Sequence, residues 1–246
     1  QVTVNNRVLE HGTGDGTTDV FDTFEPTFGS KTPLPQKFAV TTSVTTEAVH
    51  DSAFDIESII MNQQAEALAY AQDQAFVMKT GVASSEDALF RDHSSDGGIL
   101  KTAGQNDTLK LSEMVAGLCQ LAPTGYFGRP GAFVVAAGLI DDLMAETADS
   151  RPLLQAQAQS TFSVASPFQV FGRPVYVTSG GPAMSTTNFV AAYVTQGAAR
   201  IGDVGGLTFL RDPYTNGADG VINLLASVRS TFAITEPRGI VTYKLG

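Results

Sequence analysis

This chain is poor in the residues that chemistry usually needs. Its 246 residues include one cysteine and three histidines. The lone Cys119 excludes an intramolecular disulfide and a thiolate metal cluster, and its place in the apolar run 114–121 predicts a buried structural thiol. His11, His50 and His93 fall in three separate segments with no ligand spacing between any two. A metal site needs several converging ligands, so these histidines predict solvated or capping roles. Charge is sparse too: 16% of residues are charged, and 15 Lys and Arg against 25 Asp and Glu leave a net charge of −10. That balance argues against a dedicated nucleic-acid binder, because phosphate neutralisation needs clustered cations. No stretch approaches the roughly 20 apolar residues of a membrane span. No secretory signal is visible, and a start at Gln1 suggests a processed or shortened chain.

Motifs of catalysis are missing as well. Gly12, Gly14 and Gly16 in GTGDG imitate a dinucleotide loop, but a Thr-rich β segment follows where a helix is required, so a hairpin tip is expected. Asp15 and Asp19 on that tip are too few to define a cation site. There is no phosphate loop, no Gly-x-Ser-x-Gly elbow and no paired cysteine motif, and Ser179 beside Gly180 and Gly181 has no evident base. Asp141, Asp142 and Glu146 predict a solvated helix face. No catalytic residue, no cofactor-binding residue and no metal ligand is expected.

What is there is a chain long enough to bury a sizeable core, with much uncharged polar surface of the kind that suits contact with copies of itself. Strands are expected near residues 2–9, 20–28 and 38–49, with a polar, kinked tip at 29–35. Residues 52–79 predict one long helix: Ser52 and Asp55 form a capping box, Asp51 adds charge at the positive end of the dipole, and Lys79 and Gly81 close it. Met61, Ala65, Leu68, Ala71, Ala75 and Met78 recur at three- and four-residue steps as its apolar stripe. A loop-rich connector follows over 82–102. A helix over 109–121 with Asp107 and Thr108 as cap, a buried strand over 131–137, a helix over 139–148 and a further piece over 151–158 come next. Residues 189–195 predict a strand and 197–206 a glycine-rich return.

The last segment carries the most information. FGRPVYVTSGGPAM reads as a turn, a buried strand and a loop. RDPYTNGADGVINLLASVRSTFAITEPRGI reads as a strand, a turn on Asn216 and Gly217, and a long strand over 221–234 halted before Pro237. A short last strand is expected over 240–243. This order resembles the end of the tailed-phage major capsid protein family, in which a Gly-x-Pro-Val strand leads to a loop and a long strand carrying Arg runs into a Pro-bounded C-terminus. Arg229 and Pro237 stand where the family's late Arg and Pro fall.

The resemblance implies an α+β phage major capsid fold with an extended β-hairpin loop, a long spine helix, a peripheral domain and an axial domain. It would divide the chain into an extended loop with peripheral strands (1–50), spine helix and peripheral domain (51–103), axial domain (104–203) and C-terminal peripheral strands (204–246). It implies a non-enzymatic protein that self-assembles into an icosahedral shell, located in a virion and assembled in the host bacterial cytoplasm. Its partners would be its own copies in pentamers and hexamers, double-stranded DNA held without sequence-specific contacts, and decoration, portal and scaffolding proteins, with no membrane. Lys31, Lys37, Arg151 and Arg229 become the candidates for contacts between subunits, and charge pairs of Arg129, Arg151, Arg173 or Arg200 with neighbouring acids would fix their register. Some relatives crosslink a loop Lys to an Asn with the help of a Glu. The Glu position here is Ser227 and the Asn position Gly220, so a shell without covalent crosslinks is expected. An encapsulin, which encloses an enzyme, shares the implied fold, and an unassembled α+β binding module is the remaining alternative.

Overall fold

The computed structural model describes residues 32–78, 87–104, 108–145, 147–148, 151–152, 168–185 and 187–246. The strands expected before residue 32 lie outside them. Strand β1 (Gln36–Thr45) alternates half-buried and exposed residues along its whole length, as a strand with one covered face does. It stops short of the expected residue 49. The Thr45 hydroxyl accepts the Ala48 amide at 3.3 Å and Glu47 sits in the first turn, so a capped helix, α1 (Thr46–Asp51), replaces the last strand residues. The long helix α2 (Ile56–Met78) starts later than Ser52 because Asp55 is the cap. The Asp55 carboxylate accepts the Ser58 amide at 3.2 Å, while the Ser52 hydroxyl is engaged by the Phe54 amide at 3.0 Å. Lys79 and Gly81 lie outside the described residues.

The expected connector ends in a strand, β2 (Ile99–Thr102), too short for a sequence period to reveal. Helix α3 (Leu111–Cys119) is shorter than expected at both ends. The Glu113 carboxylate closes its first turn by accepting the Lys110 amide at 3.0 Å and the Gly104 amide at 2.6 Å, and Gly125, with φ 76°, ends the turn that follows. Strand β3 (Gly131–Ala136) runs directly into α4 (Ala137–Ala145). The expected end of the 139–148 helix and the start of the further piece over 151–158 are instead strands, β4 (Thr147–Ala148) and β5 (Arg151–Pro152), which pair antiparallel, and 153–158 lie outside the described residues. Pro152 pushes the residue before it towards the extended region, which opposes a helix beginning at Arg151. Strands β6 (Phe168–Val170) and β7 (Arg173–Thr178) flank a tight turn at Phe171 and Gly172. Strand β8 (Phe189–Thr195) matches expectation, and the glycine-rich return contains a strand of its own, β9 (Ala199–Asp203). Strands β10 (Thr208–Asp212), β11 (Val221–Ile234) and β12 (Ile240–Lys244) complete the chain, with Pro237 in the turn between the last two.

Two larger sheets organise ten of these strands, in keeping with the expected α+β class, and β4 with β5 forms a separate two-stranded pair. The six-stranded sheet has the order β2-β12-β8-β3-β7-β6, with β2/β12 and β3/β7 parallel and its other neighbours antiparallel. In the four-stranded sheet β11 pairs antiparallel with β1 along one side, and with β10 and then β9 along the other. The main core lies around the six-stranded sheet. The tilted rings of Phe133, Tyr193 and Tyr243 pack within it beside Met114 and Leu118 of α3, all fully buried, and the Tyr243 hydroxyl donates to the Met114 carbonyl at 2.7 Å.

Two expectations about single residues fail. Cys119 is exposed, because it lies about 100° around the helix from Leu118, whose side chain takes the core-facing position. His93 is neither solvated nor a side-chain cap: it is fully buried, with Nε2 3.2 Å from the Leu89 carbonyl oxygen and no hydrogen-bond partner at Nδ1. His50 is exposed in the last turn of α1, and His11 lies outside the described residues.

Candidate interaction surface

Helix α2 covers one face of the four-stranded sheet and leaves the other open. The stripe read from the sequence packs down through Leu68 and Ala75, while Met78 is exposed and Val77 is buried instead. Polar staples fix the helix on the strands. The Gln64 amide donates to the Thr42 hydroxyl and the Leu224 carbonyl, both at 2.9 Å, and the Gln72 amide donates to the Ser230 hydroxyl at 2.6 Å. Arg211 reaches Glu57 of the helix at 2.9 Å. Side chains alternate along a strand, so these contacts assign Lys37, Ala39, Thr41 and Ser43 of β1, Ser227 and Arg229 of β11, and Thr208 and Leu210 of β10 to the opposite face. All of the β1 residues in that set, with Thr208, Leu210 and Arg229, are exposed.

The edge beside β11 is open in a second sense. Every residue from 200 to 211 is exposed, including Ile201 (61%), Val204, Leu207, Phe209 and Leu210 (55%). An exposed apolar edge strand is a template for another chain unless something covers it. Just beyond it, Asp212 pins the following turn: its carboxylate accepts the Tyr214 amide at 2.9 Å, the Thr215 amide at 3.2 Å and the Thr215 hydroxyl. The Thr215 hydroxyl bond is the largest cause holding this carboxyl below the usual carboxylate range. The turn presents Tyr214 at 89% exposure.

A cleft of about 350 Å³ opens where the bare sheet face meets the link between β9 and β10. Lys37 and Arg229 stand directly opposite each other across the β1–β11 ladder and both line it, with Thr208, Ser227 and the main chain of Gly205 and Gly206. These glycines take φ values of 82° and 70°, and a Cβ on either would meet nothing within 4 Å, so this part of the wall is bare backbone. Among the described residues no acid lines the cleft.

Of the four contact candidates, the structure brings Lys37 and Arg229 together. Arg151 opens β5, paired with Ala148 in a different sheet, and Lys31 lies outside the described residues. Within the subunit Arg129 sits 4.4 Å from the centre of the Tyr126 ring, and Arg173 donates to the Phe127 carbonyl at 2.9 Å. Arg200 is exposed on β9. Sequence reasoning missed the apolar edge and the glycine wall, although the signal was in IGDVGGLTFL, where large apolar residues surround two glycines. Among the described residues no group of His, Cys, Asp and Glu could hold a metal ion, and no helix is long and apolar enough to cross a membrane.

Surface of this kind serves packing more readily than chemistry, and comparison with known proteins agrees. The model of the phage capsid family matches residues 3–245. The chain belongs to the phage capsid family. Its fold is similar to that in the capsid of a native GTA particle, at 20% identity and a TM-score of 0.70, covering 96% of this chain and 80% of that one. It is similar to a protein of Mycobacterium phage Bobi at 18% identity and a TM-score of 0.70, covering 100% and 82% of the two chains. Gordonia phage Cozz supplies a third likeness, at 18% identity and a TM-score of 0.67, covering 100% and 80%. No curated protein matches the sequence. The family membership makes this a structural major capsid protein, with the fold expected from its C-terminal segment.

Proposed function

We propose that copies of this capsid protein tile an icosahedral shell of pentamers and hexamers around the double-stranded DNA of a tailed phage or gene-transfer particle. The observation that supports this most is the family match over almost the whole chain, joined to the open sheet face and apolar β9–β10 edge that such tiling would cover. Individual contacts between subunits are modest, and closed symmetry makes them collectively strong. The open face contributes Lys37 and Arg229, and Lys31 and Arg151 are the further contact residues. A net charge of −10 suits a wall that contains packed DNA without gripping it, so no base-specific contact is expected. Decoration, portal and scaffolding proteins complete the set of partners, and assembly takes place in the host bacterial cytoplasm.

The shell is held by noncovalent contacts. Forming an isopeptide bond needs a base to take the amine's proton, and among the described residues the cleft beside Lys37 presents the hydroxyl of Ser227 and no carboxylate. Negative-stain imaging of the purified protein tests the shell: closed particles containing nuclease-protected DNA are expected. A co-purifying enzyme in place of DNA would point to a nanocompartment, and a monomer or dimer under all conditions would end the shell reading. A ladder of covalent multimers on a denaturing gel would overturn the noncovalent account.

A further inference from the structure

We propose that the cleft between Lys37 and Arg229 is a receptor for a carboxylate of a second copy of this chain, an inference that rests on the shell reading. Like charges directly opposite each other on antiparallel strands destabilise a sheet, since their Cβ atoms stand only about 4.5–5.5 Å apart. Lys37 and Arg229 are such a pair, in a chain where acids outnumber cations by 25 to 15, yet among the described residues no acid lines their cleft. Among the described residues neither side chain has a hydrogen-bond or ion-pair partner. An isolated subunit gains nothing from this arrangement. A subunit whose neighbour inserts a carboxylate gains a charge-assisted contact in which the guanidinium fork takes one or both oxygens and the ammonium approaches from the other side. The Thr208 and Ser227 hydroxyls add donors, and the bare backbone at Gly205 and Gly206 lets the incoming group approach closely.

The surroundings select a carboxylate over a nucleic-acid backbone. A duplex needs cations repeated along a track, whereas the sheet face beyond Lys37 continues through the uncharged Ala39, Thr41 and Ser43. Another copy brings the right chemistry in excess. Residues 12–30 alone carry Asp15, Asp19, Asp22 and Glu25 and no Lys or Arg.

Two measurements on the full chain test this. In the first, particles are assembled from mixed light and isotopically heavy protein and treated with a water-soluble carbodiimide. The reagent activates a carboxyl group, the Lys37 Nζ displaces it to form an amide, and the reagent leaves as its urea. Lys37 peptides joined to Asp or Glu peptides as mixed light–heavy pairs are expected. Pairs from one chain only, or none while other lysines do link copies, overturn the assignment. In the second, the double variant Lys37→Gln/Arg229→Gln is compared with the parent. Removing the repulsion should leave the Tm of the unassembled subunit undiminished, while the concentration needed for assembly, read by light scattering, rises roughly tenfold. An unchanged assembly threshold, or a Tm that falls together with assembly, overturns the proposal. If the parent forms no particles the shell reading itself has failed. If the parent forms particles and either arm fails, only the cleft assignment is lost.

Discussion

The two sheets use similar residues to opposite ends. In the six-stranded sheet, β8 and β12 are buried almost throughout, so Val, Ala, Ile and Tyr pack on both faces and are committed to the subunit's own stability. In the four-stranded sheet, β1 alternates strictly and β10 is exposed for most of its length, so only the face under α2 is committed. The difference teaches that one sheet buries its apolar residues inside the subunit while the other leaves surface free for the proposed contacts between copies. The first sheet is filled by the subunit's own side chains, and the second leaves one face and the β9–β10 edge unpacked within the subunit.

The sharpest way to break that comparison is to remove side chains from the first sheet. Phe133 is fully buried against Tyr193, with ring centres 4.9 Å apart. Phe133→Ala should destabilise the subunit by about 3–5 kcal/mol in urea unfolding. A loss under about 1 kcal/mol would mean that the site collapses without penalty, and that the six-stranded sheet is not the rigid part.

The joint between the regions comes next. Asp73 of α2 accepts the Thr178 hydroxyl at 2.6 Å and the Gly180 amide at 2.9 Å, which ties the helix to the loop after β7. A Cβ on Gly180 would come within 2.7 Å of the Gln74 backbone nitrogen, so Gly180→Ala must push the helix away. Each change, Gly180→Ala by overpacking and Asp73→Asn by losing the charge from its hydrogen bonds, should cost about 1–3 kcal/mol. Hydrogen exchange should localise the loss to α2 and the loop after β7. Uniform loss across both sheets would show that they respond as one unit and erase the distinction.

The sequence was most legible where a single rule operates. Long β11 and short β8 appear at their expected positions because apolar content and flanking glycines or prolines agree. Errors gather where a local hydrogen bond outbids the pattern. Thr45 turns a Thr- and Val-rich run into a helix, Asp55 displaces Ser52 as cap, and Glu113 rather than Thr108 starts α3. Residue-level burial failed at His93 and Cys119 because neither periodicity nor composition tells which side of a turn faces the core. Half of the candidate site was visible: two of its cations were named from the sequence, but their opposition across a ladder depends on a register that only pairing fixes. The apolar edge stayed hidden because exposed apolar residues read as core in any pattern argument.

His93 supplies a smaller effect with a definite sign. Burial is the largest cause lowering its pKa, Arg91 adds to it, and the Leu89 carbonyl with Asp87 and Asp96 opposes it. The unfolded chain therefore takes up this proton near its ordinary pKa of about 6.5 while the folded chain resists. Stability from neutral His93 is fully present above that pH and falls below it, by at most about 1.4 kcal/mol per pH unit. His93→Gln should remove this part of the decline in urea titrations at successive pH values. An unaltered decline would assign it to the carboxylates.

The smallest effect on the subunit belongs to the open edge, and it bears most directly on the comparison. Ile201 and Leu210 are more than half exposed, so Ile201→Ser with Leu210→Ser removes little buried apolar surface and should change subunit stability by no more than about 0.5 kcal/mol per site. If the edge is kept for neighbouring copies, the same pair should sharply reduce particle yield, because each loss is repeated at every equivalent contact of a closed shell. Phe133→Ala has the reverse ratio, with a large loss in unfolding and contact surfaces left intact in the molecules that remain folded. Should the edge variant unfold as readily as Phe133→Ala, or assemble as well as the parent, the four-stranded sheet would be ordinary structure and the division of labour between the sheets would not stand.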